Sequence, residues 1–378
     1  MSIKRTLLAA GLLLAATPIA HAQVAVGEFA GSAVSFEGLL QTDAYWYDAD
    51  QRALDGDAGD GDDTDFGLRR AELVLKGKGP GNFDWTAGYD ASGDGKFLDV
   101  YGRYKFKAAG KPWLQVGQFK QPNSLEELSS TKNNDFVSKA MITNTFAVSR
   151  RLGVAGGVGG DDWGVTGSLF SRELTRDRAH GNGYGIRGYY APINTKGNVL
   201  HLGLSQVDYD TDGDVLRLRA RPDADMAQRL VDTGSMVDTD RVRTTGLEAM
   251  WLRGPLKLQA EYMDATVDRY AHDDFGAGGG YASAVWNLTG EDFAYKGGTP
   301  STPKAAGNSM WQLGLRYDTL DLDDGDVAGG SIDTWTLGAN WYLRSNFKLM
   351  LDYVRVDSER AGIADDPGIV ALRAQFHW

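Results

Sequence analysis

One short motif has the form of a catalytic loop, and it occurs once. Asp232-Thr233-Gly234 matches the aspartate loop of aspartic proteases, whose chemistry needs two carboxylates that share a proton. With a single copy, two chains would each have to contribute one aspartate. The chain also has no cysteine and neither an HExxH nor a GxSxG motif, so the common thiol, zinc and serine hydrolase sites are excluded. We predict that the protein is not an enzyme.

Two acidic segments offer oxygen ligands to cations. The run from Asp208 to Gly213 follows the first half of an EF-hand loop, but Arg219 stands where the bidentate glutamate is required. We predict no cofactor and no metal site beyond a weak surface calcium site there, with a solvated acidic loop as the alternative. Residues 48–65 carry eight aspartates and one basic residue. They could bind lipopolysaccharide through divalent ions or form a solubilising loop.

Basic residues recur on the polar side of segments in which polar and apolar residues alternate. Such cations can replace part of an anion's hydration shell step by step, and a guanidinium group binds phosphate through two parallel hydrogen bonds. We predict that eight of them line one interior: Arg70, Arg103, Lys105, Arg187, Lys257, Arg316, Lys348 and Arg373. Carboxylates on the same side could neutralise them instead: Glu72, Asp99, Glu261, Asp318 and Asp352.

The same alternation identifies the elements that carry these cations. Leu313 and Leu315 alternate with Gln312 and Arg316, and Leu98 opens another such series on its apolar side. About sixteen segments of this kind follow one another. Most are about 9–14 residues long, the length of a tilted transmembrane strand. A period of two turns one face of each strand to lipid and the other to a wet interior.

Short and long connections join these segments. The short ones are Gly79 to Asn82, Ala109 to Pro112, Asn194 to Asn198, Gly254-Pro255 and Arg344 to Asn346. The long ones are Asp48 to Asp65, Gln121 to Ala147, Thr211 to Asp240 and Arg269 to Gly279. This pattern predicts an all-β protein, a transmembrane antiparallel β-barrel of about 16 strands with short periplasmic turns and long extracellular loops. Glu291 to Gly307 is too long for its place on the short side, so one strand could be miscounted.

The ends of the chain predict export to the outer membrane of a Gram-negative cell. Lys4 and Arg5 precede an apolar stretch, and Ala20-His21-Ala22 offers a cleavage site, so residues 1–22 read as a signal peptide and 23–378 as the barrel. The chain closes on Phe376-His377-Trp378, an aromatic ending typical of such barrels. Loss of the two basic residues takes the net charge from −12 to −14, which disfavours nucleic-acid binding.

Several segments resemble one family. They are VGQFKQP at Val116 to Pro122 with SLEELSS at Ser124 to Ser130, FGLRRAELVLK at Phe66 to Lys76, LGLRYDTLDLDD at Leu313 to Asp324, and LGANWYLRSNFKLMLDYVRV at Leu337 to Val356. Together they are similar to the phosphate-selective porins O and P, over essentially the whole chain after the signal peptide.

The resemblance implies a trimeric outer-membrane channel whose loop 121–147 folds inward as a constriction. This loop mixes basic with apolar residues, which suits a segment that packs inside a channel. By position, the resemblance places four cations at the constriction: Lys120, Lys132, Arg150 and Arg151. The loop 211–240 departs from the family, because it carries four arginines and no lysine, whereas phosphate-binding members bring lysines to the centre.

The sequence therefore predicts a porin for passive diffusion of small anions, with phosphate-like ions favoured. A general porin of weak or cation selectivity is the alternative, if interior carboxylates outweigh the cations. An adhesin whose acidic loops bind a partner is a further candidate. The predicted partners are small anions, outer-membrane lipid and lipopolysaccharide, and two further copies of the chain.

Overall fold

The structure is a computed structural model that describes residues 24–55, 63–175, 181–302 and 309–378. The predicted signal peptide, residues 1–22, lies outside the described residues and stays a prediction. Parts of two predicted connections, residues 56–62 and 303–308, also lie outside them. Within the described part of the chain, no helix is long and apolar enough to cross a membrane.

Sixteen antiparallel strands form one closed barrel. They are β1 Ser32–Asp48, β2 Thr64–Lys78, β3 Phe83–Asp90, β4 Lys96–Lys105, β5 Trp113–Lys120, β6 Arg150–Gly159, β7 Trp163–Phe170, β8 Gly183–Thr195, β9 Asn198–Asp210, β10 Thr239–Arg253, β11 Leu256–Arg269, β12 Phe275–Asn287, β13 Met310–Asp324, β14 Val327–Arg344, β15 Phe347–Arg360 and β16 Gly368–His377. Each strand pairs with its neighbour in sequence, and β16 pairs with β1 from Leu39↔His377 to Asp48↔Gly368. The predicted fold class and strand number are confirmed.

The remaining elements are short. Val24–Phe29 pairs with the start of β1, Ile363–Asp365 pairs with the end of β15, and two hairpins are formed by Arg219–Ala220 with Val231–Asp232 and by Ala294–Lys296 with Thr299–Ser301. The helices are α1 Leu125–Leu128 and α2 Met141–Phe146, and single 3-10 turns lie at Thr131–Asn133 and Asp212–Asp214.

The wall has the reversed polarity of a membrane barrel. On β13 the outward Leu313 and Leu315 are 44% and 46% exposed, whereas the inward Gln312 and Arg316 are 0% and 1% exposed. Apolar side chains on the outside and polar side chains on the inside are stable only if the outside meets lipid. The alternation in the sequence therefore identifies the two faces correctly along most strands.

Two bulges change the phase of the first strands. The pairing of β3 with β4 shifts between Ala87 and Tyr89, and as a result Leu98 is 3% exposed and faces the interior. The prediction that placed Leu98 on the lipid side is wrong, because an extra residue in one strand reverses the faces beyond it. A second shift, where β1 pairs with β2, places both Arg69 and Arg70 against the same interior cavity.

The long connection between β12 and β13 folds back into the barrel. Its Phe293 is buried, and its Tyr295 hydroxyl lies 2.8 Å from Nδ1 of His201 on β9. Since sixteen strands are present with this connection on the short-turn side, no strand was miscounted. The extra length forms an inward hairpin, which sequence periodicity does not reveal.

Candidate functional site

The chain from Gln121 to Ala147 leaves β5 and lies against the inner face of the opposite wall. Its first helix is fixed at its amino end, where the backbone N–H groups of Leu125 and Glu126 donate to the two carboxylate oxygens of Glu261 at 2.7 and 2.8 Å. Farther along, the N–H of Val137 donates to Asp352 and that of Met141 to Asp318, both at 2.7 Å. Wall carboxylates therefore satisfy loop amides that would otherwise be buried without a partner.

Cations of the same wall hold the loop carbonyls. Lys348 donates to the carbonyl of Asn134 at 2.7 Å, and Arg316 donates to that of Ser138 at 3.0 Å. Arg373 donates to the carbonyl of Val137. Lys257 forms an ion pair with a carboxylate of the loop, that of Asp135.

These contacts give several of the cations predicted to line the interior a different role. Lys257, Arg316, Lys348 and Arg373 all point inward, and all are buried, between 1% and 5% exposed. The structure places the first three behind the loop, where Arg316 and Lys348 hold its backbone and Lys257 holds the Asp135 carboxylate. The periodicity identified the face of these residues, but it held no information on what covers that face.

Cations converge instead on the open side of the loop. A cavity of about 150 Å³ lies between the loop and strands β2 to β6, and we call it the basic cavity. Seven cations line it: Arg69, Arg70, Lys96, Lys120, Lys139, Arg150 and Arg373. The carboxylates among its lining residues are Glu127 and Asp225. Four of the twelve predicted site residues, Arg70, Lys120, Arg150 and Arg373, are therefore brought together here.

Each carboxylate of the basic cavity bridges two cations. Glu127 pairs with Lys139 and lies 3.8 Å from Lys120. Asp225, which comes from the long loop 211–238, lies 2.9 Å from Arg69 and 3.3 Å from Arg373. Each of these carboxylates is thus compensated by two cations.

The pKa values of two adjacent loop carboxyls diverge for a physical reason. Burial opposes the ionisation of both Glu126 and Glu127. For Glu127, the charges of Lys139, Lys120 and Arg150 outweigh burial and hold the pKa well below its usual value. For Glu126 burial prevails and raises the pKa. Glu127 is therefore a permanent negative charge inside the basic cavity at neutral pH.

A second, larger space lies on the short-turn side of the loop, and we call it the lower chamber. Its volume is about 360 Å³, and it shares Lys120, Thr131 and Arg150 with the basic cavity. Lys132 lines it, and among the residues that the structure describes Lys132 forms no ion pair. Of the four residues that the resemblance placed at the constriction, Lys120, Lys132 and Arg150 lie at or next to the junction of the two spaces.

The other predicted cations lie away from this junction. Arg187 forms a two-point ion pair with Glu248 in the wall, at 2.8 and 2.6 Å. Arg103 donates to Gln115 at 2.7 Å and stacks on an aromatic ring. Lys105 pairs with an aspartate at the rim, and Arg151 donates to the carbonyl of its neighbour Arg150 at 3.1 Å.

Three cations of the basic cavity were missed by the sequence reasoning. Arg69 was not predicted to line the interior, because the bulge beside it interrupts the alternation. Lys139 lies on the loop, where no period applies, although its place in an amphipathic loop was a usable signal. Lys96 begins β4, where the phase of a strand is least certain.

The extracellular segments carry further charges. In the loop 211–238, Arg217 donates to Asp232 at 2.7 Å. Burial and then the neighbouring guanidinium groups lower the pKa of Arg229 to about 10, so it stays charged at neutral pH. Asp208, the first residue of the predicted calcium loop, is shared by Arg241 and Arg243. The part of the chain that the structure describes contains no group of three or more metal-ligating side chains. A calcium site stays an untested prediction.

Comparison with known proteins identifies the family. The model of the family described as phosphate-selective porin O and P matches residues 41–378. The chain belongs to this family. An uncharacterised protein of Caulobacter vibrioides is 30% identical over 355 residues, covering 86% of this chain and 69% of that protein. Porin O of Pseudomonas aeruginosa is 29% identical over 210 residues, covering 47% of this chain and 48% of that porin.

Solved structures agree on the fold of this family member. OmpT of Vibrio cholerae is similar with a TM-score of 0.59 and 12% identity, covering 93% of this chain and 99% of OmpT. The anion-selective porin from Comamonas acidovorans is similar with a TM-score of 0.56 and 13% identity, covering 91% and 100%. The protein is thus an outer-membrane porin, a channel and not an enzyme.

Proposed function

We propose that this porin passes small anions by diffusion, with phosphate-like ions favoured. The observation that supports the proposal is the composition of the basic cavity, where seven cations stand against two carboxylates. The net charge of −12 for the chain does not oppose this. Charges farther apart than a Debye length of about 8 Å are screened at physiological salt, so the charges beside the path decide which ions enter.

Phosphate is favoured by the type of cation as well as by the number. Arg69, Arg70 and Arg150 bring planar guanidinium groups to one small cavity, and such groups match the oxygens of phosphate in pairs. Lys120 and Lys139 add ammonium groups that donate in any direction. The family description points to the same substrate, and one structural neighbour is described as anion-selective.

A porin of weak or cation selectivity is the second candidate, and one observation favours it. All four guanidinium groups of the cavity are already paired: Arg70 with Glu72, Arg150 with Asp99, Arg69 with Asp225 and Arg373 with Asp43, at 3.2, 3.0, 2.9 and 2.6 Å. Paired charges attract a passing anion less than free ones. The excess of cations over carboxylates still makes the anion channel the better proposal.

We also propose that three copies assemble and that the acidic extracellular loop contacts lipopolysaccharide. The trimer is implied by the family resemblance, and OmpT of Vibrio cholerae is described in a trimer form. Cross-linking of the detergent-purified porin tests the trimer. A divalent-ion dependence of lipopolysaccharide binding tests the second contact.

Reversal potentials across a planar bilayer test the anion channel. Under a gradient of potassium chloride, we expect a reversal potential of the sign that chloride permeation produces. Millimolar phosphate, added to chloride, should reduce the current because it occupies the basic cavity. A cation-selective reversal potential would exclude the proposal. Anion selectivity without any effect of phosphate would retain the anion channel and remove the preference for phosphate.

A further inference from the structure

The inner wall of the lower chamber carries an apolar patch where a porin interior is normally polar. Four aliphatic side chains line this chamber beside its charged groups: Leu39, Val74, Leu98 and Leu128. They come from β1, β2, β4 and the end of α1. Interior residues of a water-filled barrel are expected to be polar. A patch of four therefore needs an explanation.

Three of the four side chains come from the wall, and the patch does not belong to the buried apolar clusters that hold the loop. A methyl group placed on Gly88 would lie 3.1 Å from Cβ of Leu98 and 3.4 Å from Cγ2 of Val74. The glycine thus leaves room for these two side chains to lie side by side. Among the described residues, none of the four belongs to the buried apolar clusters that include the loop residues Phe136 and Met141.

The charges of the lower chamber are more evenly balanced than those of the basic cavity. Its lining has four cations, Lys76, Lys120, Lys132 and Arg150, and three carboxylates, Glu37, Glu72 and Asp99. Lys76 is paired with Glu37 at 2.7 Å, and Arg150 with Asp99 at 3.0 Å. A bare phosphate ion therefore gains little by moving from the basic cavity into this chamber.

The size of the chamber fits a molecule larger than a bare ion. A volume of about 360 Å³ lies within the range of ordinary small-molecule sites. Such sites combine apolar surface with a few charged groups that fix orientation. Lys120 and Arg150 lie at the mouth that joins the chamber to the basic cavity, on the side where an anionic head would remain.

We infer that the pore is adapted to organic phosphates, namely phosphate monoesters with a small apolar group. The phosphate head lies at Lys120 and Arg150, and the apolar body contacts the patch of Leu39, Val74, Leu98 and Leu128. This inference rests on the proposed function, because it assumes that the cavity binds anions. It goes beyond that function because it concerns recognition of the apolar group of the substrate, whereas the proposed function concerns the phosphate alone.

A series of blockers tests the inference with the full-length porin in a planar bilayer. Inorganic phosphate, methyl phosphate and n-butyl phosphate are compared at about pH 8.5, where all three are dianions. We expect the half-blocking concentration of the chloride current to fall along the series, by up to about fourfold for each methylene group that reaches the patch. Equal block by all three, or weaker block by the butyl ester, would overturn the inference.

Two variants test whether the patch causes the stronger block by butyl phosphate. Val74→Thr keeps the shape of the side chain and adds a hydroxyl, and Leu128→Asn changes the loop and leaves the wall intact. Each should weaken block by butyl phosphate several-fold and leave block by inorganic phosphate unchanged. Val237→Thr is the matched control, because Val237 is an exposed extracellular residue. If Val74→Thr and Leu128→Asn leave block by the butyl ester unchanged, the patch is not the recognition surface.

The outcome separates this inference from the proposed function. If none of the three phosphates blocks and the reversal potential is not that of an anion channel, the proposed function fails. If inorganic phosphate blocks and the esters block no better, the anion channel stands and the preference for organic phosphates is wrong.

Discussion

Arg373 and Asp43 form a two-point ion pair across the seam where the last strand closes on the first. The guanidinium Nε and Nη2 atoms lie 2.7 and 2.6 Å from the two carboxylate oxygens, and the two residues are direct partners in the register of β16 and β1. Both side chains are buried, at 2% and 0% exposure. The same arginine also donates to the carbonyl of Val137 in the loop. One side chain thus contributes both to the closure of the wall and to the placement of the loop.

Loss of Arg373 should destabilise the barrel strongly. Arg373→Met leaves the buried carboxylate of Asp43 without its partner, a change that typically costs about 3–5 kcal/mol. Denaturant unfolding of the porin in lipid vesicles measures it. The double variant Asp43→Asn with Arg373→Met should recover part of the loss. Arg355→Met, on the adjacent strand β15 and in an exposed pair with Asp366, is the control and should cost about 0–1 kcal/mol. Equal losses for the two arginines would contradict this account.

Reversal of one free cation should lower anion selectivity. Lys132→Glu changes the local charge by two units without breaking an ion pair. An interaction on the order of 1 kcal/mol per unit of charge in a wet pore corresponds to about a fivefold change per unit, so the two-unit reversal should change the permeability ratio of anion to cation by up to about thirtyfold. Reversal potentials measure it. Lys107→Glu, on an exposed turn residue, makes the same charge change outside the path and should have little effect. A ratio unchanged in Lys132→Glu would remove Lys132 from the path.

Removal of a loop anchor should widen the pore. Asp352→Ala leaves the buried N–H of Val137 without an acceptor, at a cost of about 1–3 kcal/mol to the closed position of the loop. Single-channel recordings should then show larger or fluctuating conductance. Asp352→Asn retains an acceptor oxygen and should stay closer to the parent porin. Steady, unchanged conductance in Asp352→Ala would mean that the other anchors suffice.

The contribution of Glu127 to anion selectivity should be constant between neutral pH and about pH 5. The nearby cations hold the pKa of Glu127 well below its usual 4.5. The ion pair of Glu127 with Lys139 therefore contributes its full stabilisation above the usual pKa of 4.5. This stabilisation is lost only as the pH falls through the lower pKa that Glu127 has in the folded protein. Reversal potentials at pH 7 and pH 5 provide the measurement, with Glu127→Gln as the comparison. A selectivity that rises between those values in the parent but not in Glu127→Gln would show that Glu127 titrates there.

The fold could be predicted well from the sequence, because a period of two is imposed on every wall residue by the pleat. Leu313 and Arg316 follow it, and so do most residues of the long strands. The prediction failed for Leu98 and missed Arg69, since each lies at a bulge that the alternation does not encode.

The site was harder to predict because it depends on contacts between distant parts of the chain. Lys257, Arg316 and Lys348 have the right phase and the right charge for a channel lining. Nothing in their spacing shows that a loop more than 100 residues earlier would cover them. Lys120 and Arg150 were found through the family resemblance, and their place at the junction of the two spaces comes from the loop between them.

The order in which the porin is completed follows from where the loop is anchored. The loop belongs to the first half of the chain, yet its partners Glu261, Asp318 and Asp352 lie 136, 177 and 215 residues away. Contacts of such long range form late, after the intervening segments have been brought together. An assembling barrel would therefore pass through a stage with most strands paired and the loop still unattached. The constriction is then the last part of the porin to form. A barrel whose loop is still unattached would have a wider pore, so it would leak and would not be blocked.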